Sequence, residues 1–275
     1  MSYGIILLLL LCVMILWRSE YENSHFKIVT YRLPNRKIKT PVRVVYLSDL
    51  HENVFGRENE ELLQAIRMQK PDILLLGGDL IIGKGKRVEC DHALHFLREL
   101  GEICPVYYSY GNHETRVKED PRFRRYENEI KKLPVTLLNN ERAELTVRGQ
   151  SVQIFGLELT NRQYKDKKEF QAAGTIFDPA CLSILLAHTP DYFPEYTAWK
   201  PDFVFSGHNH GGIVRLFGTC GVMANSGHPF PKYSYGIYRE QESVMVLSAG
   251  AGTHTIRFRL GNQTEFVVAD LVQYH

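Results

Sequence analysis

The chain has 275 residues, with 33 Lys and Arg against 31 Asp and Glu for a formal net charge of +2, and 44% of it is apolar. That apolar share excludes wholesale disorder, and a charge so near balance argues against a general nucleic-acid binder, which needs a concentrated basic face. Five scattered cysteines, Cys12, Cys90, Cys104, Cys181 and Cys220, form no CxxC pair, so they signal neither a zinc knuckle nor a dithiol redox centre and suit a reducing compartment.

Tyr3 to Trp17 is an unbroken apolar run with one Gly, fifteen residues long, ending at Arg18. As a helix it spans about 22 Å against a hydrocarbon core of roughly 30 Å, which Met1, Ser2 and some bilayer thinning bring to the lower edge of a crossing. The rival is a cleaved signal peptide, which would show a basic n-region and a small-residue cleavage site. No Lys or Arg precedes Arg18, and Arg18-Ser-Glu-Tyr-Glu is not of the A-x-A kind. Residues 1–18 are therefore expected to form an uncleaved transmembrane anchor, and residues 19–41 a basic juxtamembrane linker suited to anionic lipid headgroups. Arg18, Lys27, Arg32, Arg36, Lys37, Lys39 and Arg43 follow the run. The positive-inside rule then predicts a single-pass protein of the cell membrane with residues 42–275 in the cytoplasm; the alternative is an extracytoplasmic domain.

From Pro41 the pattern is α/β. Val42–Leu47 reads as a strand, Glu58–Gln69 as a helix, Asp72–Leu76 as a central strand buried on both faces, Asp91–Leu100 as a second helix and Pro105–Tyr110 as a third strand. Thr115–Lys132 reads as one solvated helix. Short strands then follow at Val135–Leu138, Glu144–Val147 and Ser151–Leu157, with apolar strands at Leu182–Ala187, Asp202–Phe205, Ser243–Ser248 and Glu265–Val272. Strand and helix alternating in this way mean βαβ units and a mainly parallel start to a sheet.

Five segments put polar, metal-competent residues directly after an apolar strand: Ser48-Asp49-Leu50-His51, Gly77-Gly78-Asp79, Gly111-Asn112-His113-Glu114, Ala187-His188 and Gly207-His208-Asn209-His210. Strand ends of α/β sheets are where neighbouring loops converge on ligands. In an extended stretch, residues i and i+2 point to one side, so Asp49 with His51, and His208 with His210, are each expected to reach one ion together. Glycines before Asp79, Asn112 and His208 let the backbone approach a crowded site. Carboxylate, carboxamide and imidazole without thiolate suit Mn, Fe, Zn or a similar divalent ion. Taken singly, each piece has a bland alternative: a turn residue for Asp49 or Asp79, a hydrogen-bonded core histidine for His188. The five in order, each at a strand end, point to one site.

The set D-x-H, GGD, GNHE, a lone His after a strand, and GHxH resembles the calcineurin-like metallophosphoesterase superfamily, over about Val42 to Leu271. The closing SAGAGT…R…GN…E segment is most similar to its membrane-associated bacterial phosphodiesterase branch. The resemblance implies a four-layer α/β/β/α sandwich of two mixed sheets, preceded here by the anchor helix, with 42–275 as the catalytic domain. It implies two divalent metal ions: one held by Asp49, His51 and His210, a second by Asn112, His188 and His208, and Asp79 bridging both. His113 matches the family's catalytic histidine, which contacts the phosphate or protonates the leaving group. The implied activity is hydrolysis of a phosphodiester, phosphomonoester or pyrophosphate, with a lipid-linked substrate made attractive by the anchor. Two cations about 3.5–4 Å apart can activate a water and clamp phosphate oxygens during in-line displacement.

Two positions depart from the family's pattern. Asn209 stands where Thr is common and is expected to face away from the metals; Ala249 stands where close relatives often carry Arg. His254, Arg257 and Arg259 are candidates for substrate contact, or for a solvated strand edge, and His228 sits in a Gly-, Pro- and aromatic-rich loop (227–238) that could wall a pocket. A non-catalytic binding module on the same fold would be expected to have lost ligands or His113, and here all are present. The expected partners are thus a phosphate-ester substrate and membrane lipid, with no nucleic acid.

Overall fold

The run Ile73-Leu-Leu-Leu76 is buried along its whole length because it faces a hydrophobic core on each side. The computed structural model describes residues 3–166, 169–216, 220–223, 229–253 and 257–274. In chain order the first half holds α1 (Tyr3–Ser24), β1 (Lys27–Asn35), β2 (Val42–Leu47), α2 (Glu60–Gln69), β3 (Ile73–Leu76), β4 (Ile82–Lys84), β5 (Arg87–Glu89), α3 (Asp91–Gly101), β6 (Val106–Tyr108), α4 (Asn112–Val117), α5 (Pro121–Ile130) and β7 (Val135–Leu137). The second half holds β8 (Glu141–Val147), β9 (Gln150–Leu157), α6 (Asn161–Lys165), β10 (Leu182–Ala187), α7 (Phe193–Tyr196), β11 (Phe203–Ser206), β12 (Arg215–Leu216), β13 (Cys220–Gly221), β14 (Gly236–Glu240), β15 (Ser243–Leu247) and β16 (Glu265–Gln273).

Two mixed six-stranded sheets result, in the orders β1-β16-β2-β3-β6-β7 and β14-β15-β11-β10-β9-β8. The alternation of side chains along each strand builds three cores between four layers. Val45 and Leu47 of β2 and Leu74 and Leu76 of β3 face α2, α3 and α5, whose Leu62, Ile66, Phe96, Leu100, Phe123 and Ile130 complete the first core. Val44, Tyr46, Ile73 and Leu75 point the other way and meet Ile154, Ile184, Leu186 and Phe205 between the sheets. Leu185, Val204 and Met245 face outward again, onto Tyr192, Phe193 and Tyr196. This is the α/β/β/α sandwich. β2, β3 and β6 run parallel, as do β9, β10, β11 and β15, so the loops after them open on one edge.

Several expectations are corrected. Residues 19–41 are not a linker: α1 continues through Ser24, and Lys27–Asn35 forms β1, paired residue for residue with β16. Four of the seven basic residues of the expected collar are engaged by carboxylates of the chain itself, while Arg32, Arg36 and Lys39 are exposed. Lys27 pairs with Glu265 at 3.3 Å, Lys37 with Asp202 at 2.8 Å, Arg43 with Asp270 at 2.7 Å and Arg18 with Glu22 at 2.7 Å. The single helix expected over 115–132 is two, because Pro121 starts a new one, with the Asp120 side chain accepting from the Arg122 N–H as its cap. Part of the loop expected over 227–238 is strand β14, which pairs antiparallel with β15. Among the described residues, one helix, α1, is long and apolar enough to cross a membrane, as an anchor or a signal sequence would be.

Candidate active site

Asp49, His51, Asp79, Asn112, His113, His188, His208 and His210 come together at the edge where the parallel strands end, and all but His208 are buried. They do so through tight backbone rather than extended backbone. Asp49, His51, Asp79, His208 and His210 all have left-handed φ, between 46° and 69°. That conformation is uncommon for residues with side chains, and strain of this kind gathers at functional sites. It also corrects the expectation that His208 and His210 reach one ion together. His210 groups with Asp49 and His51, whereas His208 groups with Asp79 and His188. Gly111 and Gly207 are required for the close approach: a Cβ on Gly111 would collide with Asp79 Oδ1, and one on Gly207 with Asp49 Oδ2 and Ser48 Oγ.

Hydrogen bonds outside the cluster decide what each imidazole presents to it. Nδ1 of His51 lies 3.3 Å from the Ile81 carbonyl, Nδ1 of His188 2.6 Å from that of Gly77, and Nδ1 of His210 3.0 Å from that of Gly252. A carbonyl only accepts, so each Nδ1 carries a proton; His51 and His210, when neutral, turn an Nε2 lone pair inward, and His188 does so once its Nε2 proton is displaced. His51 Nε2 and His210 Nε2 then face each other at 3.2 Å, beside Asp49 Oδ1, 3.4 Å from His210. Lone pairs converge in this way around a cation. The second group agrees: the Asn112 carboxamide oxygen faces Asp79 Oδ2 at 3.3 Å, His188 Nε2 at 3.3 Å and His208 Nδ1 at 2.8 Å. With no cation among them the amide would turn over, to donate to Asp79 Oδ2 and His208 Nδ1 and accept from Arg116; a cation reverses that preference. The donor set fits divalent metal.

His113 is the opposite tautomer. Its Nδ1 accepts from the Gly83 N–H at 3.0 Å, so the proton sits on Nε2, which lies 4.0 Å from Asp79 Oδ2. Burial lowers its pKa and outweighs the opposing charge of Asp79. It therefore turns a neutral N–H toward the cluster, a donor where the others offer lone pairs.

In the ion-free chain, burial disfavours the His188 imidazolium, but the Asp79 carboxylate 3.2 Å away outweighs it and holds His188 up at about 10. Burial likewise pushes Asp79 up, but the charges of His188 and His113 outweigh it and hold that carboxyl well below 3.8. The sign follows from linkage. The raised His188 contributes stability fully below 6.5 and loses it as pH rises toward 10, while the depressed Asp79 contributes above 3.8 and loses it as pH falls. Urea denaturation of chelated protein is expected to show greatest stability between about pH 4 and 6.5 from this pair, declining on either side; stability rising steadily through pH 9 would contradict it.

Several contributors escaped sequence reasoning. Glu114, quoted in GNHE without a role, is buried and accepts from the N–H groups of Asp79, Leu80 and Gly111 at 2.8–3.0 Å and from Tyr108 Oη at 2.8 Å. It ties the loop after β3 to the start of α4. Tyr164 of α6 sets its ring 5.7 Å from that of His208, with its hydroxyl buried. Arg259 does not lie on a solvated edge; it is 1% exposed and sits behind His210, with its guanidinium on the carbonyls of Ala249 and Gly252. Arg257 pairs with Glu20 of α1 at 2.8 Å. His228 and His254 lie outside the described residues. Asn209 does face away, donating to the Tyr233 carbonyl.

A model of the calcineurin-like phosphoesterase family matches residues 42–212. The chain belongs to that family. It is a metal-dependent hydrolase of phosphoric ester bonds. Among its relatives, YpbG of Bacillus subtilis, an uncharacterized protein, is 25% identical over 91% of this chain and 88% of its own length. The phosphodiesterase YaeI of Escherichia coli is 26% identical over 71% of this chain and 70% of its own. The UDP-2,3-diacylglucosamine pyrophosphatase LpxG of Chlamydia trachomatis is 25% identical over 86% of each chain.

Proposed function

We propose that this chain is a membrane-anchored phosphoesterase with two divalent ions. One lies among Asp49, His51 and His210, the other among Asn112, His188 and His208, and Asp79 lies between them. Mn, Fe or Zn suits these nitrogen and oxygen donors. The observation that carries this reading is the pair of inward Nε2 lone pairs of His51 and His210, 3.2 Å apart, each fixed by its Nδ1 bond to a carbonyl.

When bound, the ions supply positive charge for phosphate oxygens and acidify a water for attack. The protein's own groups supply the rest. Asp79, held ionised, sets its Oδ2 between the two groups of ligands, 3.8 Å from His51 Nε2 and 3.2 Å from His188 Nε2. Asn112 adds a neutral oxygen, so the cleft keeps net positive charge for an anionic substrate. The His113 Nε2–H donates a hydrogen bond to the phosphoryl or leaving-group oxygen and so stabilises the negative charge that grows there as the bond breaks.

The substrate is a phosphodiester, phosphomonoester or pyrophosphate. The names of YaeI, a phosphodiesterase, and LpxG, a pyrophosphatase of a diacylated sugar nucleotide, support a diester or pyrophosphate with a lipid-linked moiety. α1 supports membrane attachment, and the basic residues that follow its apolar run support a cytoplasmic domain.

The test combines metal analysis of the full chain in detergent with an activity panel: p-nitrophenyl phosphate, bis-p-nitrophenyl phosphate and a diacylated lipid pyrophosphate. Two ions per chain are expected, with activity lost to chelation and restored by Mn²⁺ or Zn²⁺. Metal-replete protein that hydrolyses none of the three would sink the reading.

A further inference from the structure

The last turn of α1 is built into the fold. Ser19, Glu22 and Asn23 are 3%, 0% and 2% exposed, whereas side chains from Tyr3 to Trp17 are mostly exposed on every face. Ser19 Oγ accepts from the Arg259 N–H at 3.0 Å, Glu22 Oε2 from the Asn262 N–H at 2.9 Å, and the Glu22 carbonyl from the Thr264 N–H at 3.0 Å.

Arg259 and Asn262 in turn hold His210. Arg259 Nη2 donates to the Gly252 carbonyl at 2.8 Å, the same oxygen that takes the proton of His210 Nδ1, and lies 3.5 Å from that ring nitrogen. Asn262 Nδ2 donates to the His210 carbonyl at 2.6 Å and to that of Ile213 at 3.2 Å. Both the ring and the backbone of His210 are thus set by two residues whose own N–H groups hang on α1.

We infer that the last turn of α1 is a positioning element of the metal cleft: Glu22 and Ser19, acting through Asn262 and Arg259, fix the His210 lone pair. Trp17 ends the apolar run two residues before Ser19, about 3 Å of helix rise. The anchor and the cleft then form one packed unit, with the cleft beside the bilayer rather than tethered at a distance. This rests on the two-ion reading above.

The test is Mn²⁺ titration calorimetry on the full chain in detergent. Residues behind metal ligands typically change affinity by about 10–100-fold. Glu22→Ala is expected to weaken one of two Mn²⁺ sites by that factor and spare the other, with Glu22→Gln, which can still accept from Asn262, within about threefold of wild type. A glycine–serine insertion between Trp17 and Arg18 should change neither site. If Glu22→Ala fails to fold by circular dichroism, Ser19→Ala carries the test, with a smaller loss at the same single site. Unchanged affinity in the folded alanine variant, or equal loss at both sites, overturns the inference alone. A wild-type chain that binds no Mn²⁺ removes the two-ion reading and the inference with it.

Discussion

Asp79→Asn is expected to lower kcat by at least about 10⁴-fold and to strip the chain of one or both metal ions, with the fold retained. The asparagine matches the carboxylate in shape and can still accept the His113 N–H, which Asp79 Oδ1 takes at 2.8 Å. What it lacks is charge at the point where the two ligand groups meet. Oδ2 lies 3.2 Å from His188 Nε2, 3.8 Å from His51 Nε2 and 4.0 Å from His113 Nε2. Two dications held side by side would repel, and a carboxylate placed between them would both bind and screen them. Metal content by plasma mass spectrometry, beside kcat and a far-ultraviolet circular dichroism spectrum, separates loss of ions from loss of fold. Near-native activity with two ions bound would show that Asp79 does not bridge.

The layers were legible because their code is local. A strand covered on both faces has to be apolar nearly throughout, and Ile73–Leu76 is, as is Leu182–Ala187 except for Ser183, whose hydroxyl is hydrogen-bonded to Asp202. β1 was hidden for the opposite reason. Lys27-Ile-Val-Thr-Tyr-Arg alternates exposed and half-buried residues at a sheet edge, and its partner β16 begins at Glu265, at the far end of the chain. Nothing near Lys27 announces that pairing, so Lys27 and Lys37 read as part of a collar for lipid when they are partners for the buried carboxylates of Glu265 and Asp202.

The site divides in the same way. Which residues gather was readable from polar groups after apolar strands. How they divide was not, since alternation assumes extended backbone and these residues turn left-handed. The shell behind them, Glu114, Asn262, Arg259 and Glu22, carries no local signature beyond being polar. Each is assigned a job only by tertiary contact, and Glu22 lies just past the apolar run, in residues that composition alone assigns to a linker.

His113→Asn is expected to reduce kcat by about 10²–10⁴-fold while leaving both ions in place. The substitution is chosen from the tautomer. An asparagine oxygen can take the Gly83 N–H that His113 Nδ1 now accepts, but nothing replaces the Nε2–H turned toward Asp79. The two jobs open to that proton give different signatures. If it hydrogen-bonds the leaving oxygen, the defect should be large for an alkyl ester and small for a p-nitrophenyl ester, whose anion leaves unaided. If it only hydrogen-bonds a phosphoryl oxygen, both esters should slow by the same factor. Because burial keeps this imidazole neutral, the donor is already present at neutral pH, and the wild-type rate should not require acid to load it. Loss of metal in the variant would instead make His113 a ligand, against the proton placement that Gly83 imposes.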